Sequence, residues 1–199
     1  MAVIERFYGK IERESLYFDD NEVALRLKTE RGYTNEIIDE CKEILLNNVD
    51  CRYCAVTVDV SVTEEKNIDL GFLKTESKSL AKNLSGCNQC YIMAVTLGNK
   101  VDMLLKRLSV SSVAKHYITD ALASALAESA VDMAEGLVKA DNDCKPRFSP
   151  GYADLSLDIQ SDILHIIEAS KYLGVSISKT NLMTPQKTIT AFIGIKNRE

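Results

Sequence analysis

Residues Ser111–Lys139 constrain the fold more than any other stretch of the chain. They offer twenty-nine helix-compatible positions without a proline, and seven are alanines: Ala114, Ala121, Ala123, Ala125, Ala127, Ala130 and Ala134. Alanine has the highest helix propensity and puts almost no bulk between a helix and its neighbours. A helix of this length reaches about 40 Å, longer than a small domain is wide. The stretch therefore predicts a central, mostly buried helix around which the other elements pack.

Those other elements alternate without a regular strand–helix–strand rhythm. Val3–Tyr17 is compatible with a strand or with irregular chain. Asp19, Asp20 and Asn21 offer caps for a short helix over Glu22–Lys28, and Thr34 for one over Asn35–Leu46 with Ile37, Ile38, Cys41, Ile44 and Leu45 on one face. Tyr53–Thr63 alternates β-branched residues and reads as a strand. Thr75 or Ser77 caps a helix ending near Asn83. Cys90–Leu97 is nearly all apolar, the pattern of a central strand covered on both faces. Asn99–Leu108 reads as a helix, as does Leu157–Leu173, capped by Ser156 and closed by Gly174. Val175–Lys179 and Lys187–Ile195 read as two strands joined through residues 180–186. This order predicts an α+β fold with an antiparallel or mixed sheet. It fits a single domain over residues 1–199, with an N-terminal lobe over 1–70 as the alternative division.

Composition narrows the function. Of the 199 residues 46% are hydrophobic and 27% charged, which is ordinary for a globular chain. The net charge of −5 comes with no basic stripe, so nucleic acid is not an expected partner. The longest uncharged apolar stretch, near Cys90–Gly98, is far too short for a membrane span. The first ten residues lack the apolar core of a signal peptide, so a cytoplasmic location with reduced thiols is expected.

Common cofactor motifs are missing: there is no GxxxxGK[ST], no GxGxxG after a strand and no HExxH. Asp162-Ile163-Leu164-His165 lacks the spacing of a corrinoid-ligand motif. Cys51, Cys54, Cys87 and Cys90 form a CxxC…CxxC pair, a tetrathiolate spacing. The second cysteine of each pair runs straight into a strand, however, and the knuckle's usual Gly or basic residue is missing. Four buried thiols are the plainer reading, and no metal is expected. His116 and His165 fall among apolar neighbours in helical patterns. Asp120 and Glu128 lie about two turns apart on the long helix, beside Lys115 and Asp132. Arg147-Phe148-Ser149-Pro150-Gly151-Tyr152 is the most informative segment. The Pro-Gly step admits close backbone approach, Arg147 can grip a carboxylate bidentately, and Tyr152 offers a flat face. Such a loop suits a small anion or zwitterion. Equally, Phe148 and Tyr152 can pack it down, with Arg147 paired to an acid of the protein itself.

The segment Arg147–Tyr152 resembles the Arg-x-x-Pro-Gly-Tyr loop in the activation (reactivation) domain of cobalamin-dependent methionine synthase. Thr96-Leu97-Gly98, Asp120…Glu128 and Met183-Thr184-Pro185 before Thr188–Ala191 match that family's other landmarks in order, over about residues 87–195. The resemblance implies an S-adenosylmethionine site and a short, free-standing form of the domain. Arg147 would take the ligand's carboxylate, the backbone around Ser149, Pro150 and Gly151 would hold the adenosyl part, and Tyr152 would sit where the corrin arrives. An acidic position of the family falls at Ser124, and an aromatic pair lining the ligand falls at Ile193 and Gly194. Asp120, Glu128 and Tyr152 are expected to face the corrinoid. Cobalamin would come from a partner, a corrinoid-binding methionine synthase, with a flavodoxin-type reductant supplying the electron and no residue acting as acid, base or nucleophile. The alternatives are a corrinoid-protein or zwitterion binding module without the chemistry, or a metal module on the four cysteines.

Overall fold

The computed structural model describes residues 3–140 and 142–197. Of the polar loop expected over Ala140–Cys144, Asp141 lies outside the described residues. The elements run β1 (Glu5–Lys10), α1 (Asp20–Leu27), α2 (Glu36–Leu46), β2 (Arg52–Asp59), β3 (Ser61–Thr63), β4 (Asn67–Asp69) and β5 (Lys74–Glu76). There follow α3 (Lys78–Leu84), β6 (Cys87–Thr96), α4 (Asn99–Ser111), α5 (Val113–Lys139), α6 (Gln160–Ile166), α7 (Ala169–Leu173), β7 (Ser176–Ile177), β8 (Met183–Thr184) and β9 (Thr188–Lys196).

The main sheet has the order β1-β2-β6-β9, with every pair antiparallel. Its period-two alternation splits the core into two layers. Ala55, Tyr91, Met93, Val95, Ala191 and Ile193 point to one side, where α1, α2, α4 and α5 lie. Cys54, Val56, Cys90, Ile92, Ala94 and Phe192 point to the other, against α3, α6 and α7. Both faces of β6 are covered, which explains its unbroken apolar run.

Helix α5 is the centre of the first layer. It touches α1, α2 and α4 as well as β6 and β9. Six of its alanines are buried and Ala114, near its start, is exposed. Ser112 separates α4 from α5, its hydroxyl accepting from the Lys115 amide. His116 fixes this corner through Nδ1, 3.0 Å from the Leu105 carbonyl.

Several local expectations are corrected. Of the three caps offered for α1, Asp19 is the one used, accepting from the Asn21 and Glu22 amides, and the helix starts at Asp20 and not at Glu22. Asn35, not Thr34, caps α2. Of the two caps offered for α3, Ser77 is the one used, and Thr75 is in β5. The strand expected to reach Thr63 ends at Asp59: Val60 turns away, its amide donating to the Asn88 carbonyl, and β3, β4 and β5 form a separate three-stranded meander. The two C-terminal strands lie in different sheets. β7 pairs with β8, while β9 joins β6.

The helix expected over Leu157–Leu173 is a 3₁₀ turn followed by α6 and α7, broken at Ile167–Glu168, where Glu168 is left-handed at φ 53°. The break frees carbonyls that β1 and β2 then use. Arg6 donates to the Ile167 carbonyl at 2.6 Å and to that of Ile166 at 3.3 Å, and pairs with the Glu168 carboxylate at 3.1 Å. The Cys54 thiol also donates to the Ile167 carbonyl.

Gly194 in β9 is set by space. A Cβ there would lie 2.8 Å from Cys87 Sγ, 3.1 Å from Leu84 Cδ2 and 3.3 Å from Lys145 Cγ. Forcing a methyl into a packed core costs about 1–3 kcal/mol. Gly194→Ala is accordingly expected to lower stability by about that amount, read as a reduced midpoint in urea with an unchanged slope.

Candidate functional site

After α5 the chain turns back and runs antiparallel along the free edge of β9. Cys144 bridges to Ile195 and Phe148 to Phe192. The Lys145 amide donates to Gly194, and Phe148 and Phe192 exchange both their backbone hydrogen bonds at 2.8 Å. This segment covers the edge that β9 would otherwise present to solvent. Its own alternation then decides where neighbouring side chains go. Phe148 joins the α3, α6 and α7 side of the core, while Arg147 turns to the α5 side.

Arg147 there meets Glu128, Asp132 and Glu135, which stand at i, i+4 and i+7 on α5. Its Nη1 lies 3.0 Å from Glu135 and its Nη2 3.2 Å from Glu128, and Nη1 also pairs with Asp132. Glu128 is shared with Arg26 of α1 at 3.6 Å, and Arg26 pairs with Glu22 at 3.3 Å. Lys139 pairs with Glu135. Burial works against the charge of Arg147, but the carboxylates of Asp132 and Glu135 outweigh it and hold the guanidinium's pKa above its ordinary value. Arg147 is thus paired within the protein to acids of α5.

The rest of the segment forms a tight hook. Ser149 and Pro150 are buried. Gly151 has φ +87° and packs against Leu157, whose Cδ2 would be 3.1 Å from a Cβ, so side-chain-bearing residues are strained there twice over. Its amide donates to the Leu155 carbonyl, and the Tyr152 amide to that of Ser149. Tyr152 is 55% exposed, its ring edge-on to Phe148 with centroids 6.2 Å apart. Asp154 closes the hook onto α3, accepting from the Ser77 hydroxyl at 2.8 Å, the Lys78 amide at 2.6 Å and the Ser79 amide at 3.1 Å. These bonds, that of Ser77 foremost, hold the Asp154 carboxyl well below its usual range.

The other residues singled out in the sequence are dispersed. Ile193 has no exposed surface and faces the α5 layer, while Gly194 is packed beneath Cys87, Leu84 and Lys145. Neither presents a side chain to the hook that carries Tyr152. Asp120 pairs with Lys187 at 2.8 Å, and the same ammonium donates to Ser124 Oγ. Asp120, Ser124 and Glu128 thus each have a partner within the protein, Asp120 with about half of its side chain exposed. Met183-Thr184-Pro185 and Thr96 converge on Thr188, whose hydroxyl lies 2.9 Å from that of Thr96 and donates to the Pro185 carbonyl.

The four CxxC cysteines do not converge. Cys51 lies in the α5-side core, whereas Cys54, Cys87 and Cys90 lie on the opposite face of the sheet. Burial pushes the Cys51 thiol up to about 12 and raises the other three. No three His, Cys, Asp or Glu side chains are grouped as metal ligands among the described residues. No helix among them is long and apolar enough to cross a membrane.

Asp132, Glu135, Arg26 and Asp154 were not expected at this site. The spacing of Glu128, Asp132 and Glu135 was the available signal, since i, i+4, i+7 places three acids on one helical face. Nothing local marked Asp154 as the partner of a helix over seventy residues away.

The architecture is an antiparallel four-stranded sheet between two helical layers, strapped along one edge by the segment that carries Arg147 and Tyr152. The fold is similar to that in a crystal structure of the MetH reactivation domain bound to AdoHcy, with a TM-score of 0.73 over 96% of this chain and 78% of that one. Identity between the two is 12%, so the likeness is one of fold. Neither a family model nor a curated protein sequence matches the chain.

Arg147→Ala leaves three carboxylates without their shared cation in a half-buried place. Stability is expected to fall by about 1–2 kcal/mol, between the values for exposed and buried pairs, whereas an arginine serving only a ligand would leave the melt unchanged. A thermal melt of the variant, without ligand, decides this. Asp154 gives a pH test. Its folded pKa is depressed, so its contribution is complete above the ordinary carboxylate value of about 4 and is lost as pH falls through the lower folded value. Asp154→Asn should therefore melt below the parent at pH 7, and the two curves should draw together as the pH falls below about 4.

Proposed function

We propose that the protein is an S-adenosylmethionine-binding reactivation subunit serving a separate cobalamin-dependent methionine synthase. The observation that carries this reading is the likeness of fold, across 96% of the chain, to a reactivation domain whose crystal structure holds AdoHcy. The Arg147–Tyr152 segment supports it, since it lies in the order and loop context that the sequence resemblance implies.

The fit of the ligand turns on Arg147. Both its terminal nitrogens are taken by carboxylates of α5. A ligand carboxylate alone would have to compete with them. A zwitterion brings its own replacement: its carboxylate takes Arg147 while its ammonium takes the released acid, with Asp132 the most exposed of the three at 51%. The exchange conserves charge on both sides, so an amino acid head group suits this place better than a simple anion. Tyr152 leaves a ring face open at the rim, where a corrinoid-bearing partner would approach. One electron from a flavodoxin-type donor would reduce the partner's cob(II)alamin, and the reduced cobalt would take the methyl as the sulfonium's S–CH3 bond breaks, giving methylcobalamin with AdoHcy as the leaving group. This chain contributes positioning, with no acid, base or nucleophile.

The three-carboxylate grip on Arg147 favours one competing reading, a module that docks on a corrinoid protein or takes a different zwitterion without the methyl transfer. Calorimetric titration with S-adenosylmethionine and with AdoHcy, alone and beside a methionine synthase lacking its own activation domain, separates the two. The proposal expects saturable binding of both ligands, and a Tyr152→Ala variant that binds them normally but restores methylcobalamin on the partner several-fold more slowly. Absence of binding at millimolar ligand, with the partner present, would overturn the assignment.

A further inference from the structure

Helices α2 and α4 both lie on α5 and leave a cleft between them. The cleft has a volume of about 1040 Å³. One face of α4 lines it from Lys100 to Ser111 at helical spacing, with Ile44 of α2 and Asn48 of the turn after it opposite. Leu104 and Leu108 form the floor. Met103, 60% exposed, and Val110, 89% exposed, stand at the rim. A contiguous apolar cleft of this kind marks an interaction site, unlike apolar side chains exposed singly.

The charge at the rim selects the occupant. Lys100, Lys106 and Arg107 are exposed and have no ion pair among the described residues. They stand together on one helix face, whereas Lys10, Lys115 and Lys187 each sit against a carboxylate. Three free cations around an apolar floor, on a chain of net charge −5, form a local field opposite to that of the whole molecule. A simple anion would leave the leucine and methionine floor unused, and an uncharged apolar segment would leave the cations unused.

We propose that this cleft docks an acidic amphipathic helix of a partner protein. The lining face of α4 is about 16 Å long, which matches about three turns of a partner helix. Apolar anchors at i, i+4 and i+7 would lie along Leu104 and Leu108. Carboxylates flanking them would meet Lys100, Lys106 and Arg107. Met103 supplies an adaptable side chain over such anchors. The proposal uses no residue of the Arg147–Tyr152 segment, so it stands or falls independently of ligand binding.

The test uses a labelled fourteen-residue helical peptide with leucines on one face and glutamates on both flanks, followed by fluorescence anisotropy against the full chain. Saturable binding that weakens at least tenfold in a Lys106→Glu/Arg107→Glu variant, and again in Met103→Asp, is the expected result. The same peptide with lysines in place of its glutamates should not bind. Thermal melts of both variants should match the parent, because the substituted side chains are exposed. Equal affinity for acidic and basic peptides, or variants that bind like the parent, would overturn the proposal. So would a parent that sediments as a dimer and becomes monomeric with Met103→Asp, which assigns the cleft to a second copy. Charge-dependent binding to phosphatidylserine vesicles with no binding of the peptide would overturn it in favour of a lipid surface.

Discussion

Close packing of α5 against the sheet and three other helices is the constraint on which the structure depends. A helix can be covered on several sides only if its side chains leave room for neighbouring backbones, and alanine at Ala121, Ala123, Ala125, Ala127, Ala130 and Ala134 provides that room. With α5 fixed over β6 and β9, α1, α2 and α4 have surfaces to pack against. The sheet then has one helical layer in place and needs a second only on its other face. The acids of α5 are carried along by the same placement: those on its face toward the β9 edge stand ready for whatever chain passes there.

What passes there is the segment following Lys139, and it works as a strap. Backbone hydrogen bonds fasten it to β9, Arg147 fastens it to α5 and Asp154 fastens it to α3. Three independent attachments hold a turn whose own conformation is costly, with Gly151 at positive φ and Ala153 also left-handed. The strap thereby keeps Tyr152 outward at a defined place. The ionic part of this arrangement joins a structural role to a candidate functional one, because Arg147 would have to exchange partners to meet a ligand. The cleft between α2 and α4 makes no such double demand, since its cations are unspent.

Much of the architecture was legible in residue patterns, and the misses have a common cause. Alternation in Arg52–Asp59, the apolar run of β6 and the periodicity of α2 each follow from contacts a few residues apart. The break at Ile167–Glu168 does not. Its sequence propensity is helical, and the cause lies in Arg6 and Cys54, which reach it from β1 and β2. Likewise the CxxC spacing brings thiols close only within each pair, and a strand sends neighbouring side chains to opposite faces, so Cys51 and Cys54 lie in different halves of the core.

The sequence by itself determined the long buried helix, the α+β character and the Arg147–Tyr152 turn, because propensity, periodicity and the needs of Pro-Gly are local properties. Tertiary structure alone decided that β9 joins β6 and not β7, and that residues 143–148 lie along its edge. It also decided that Arg147 is paired with Glu128, Asp132 and Glu135 and that Asp154 holds α3. An arginine's charge and reach are written in the chain, but its partner is whichever carboxylate the packed elements bring within about 3 Å, and that distance is fixed only when the strap closes onto α5.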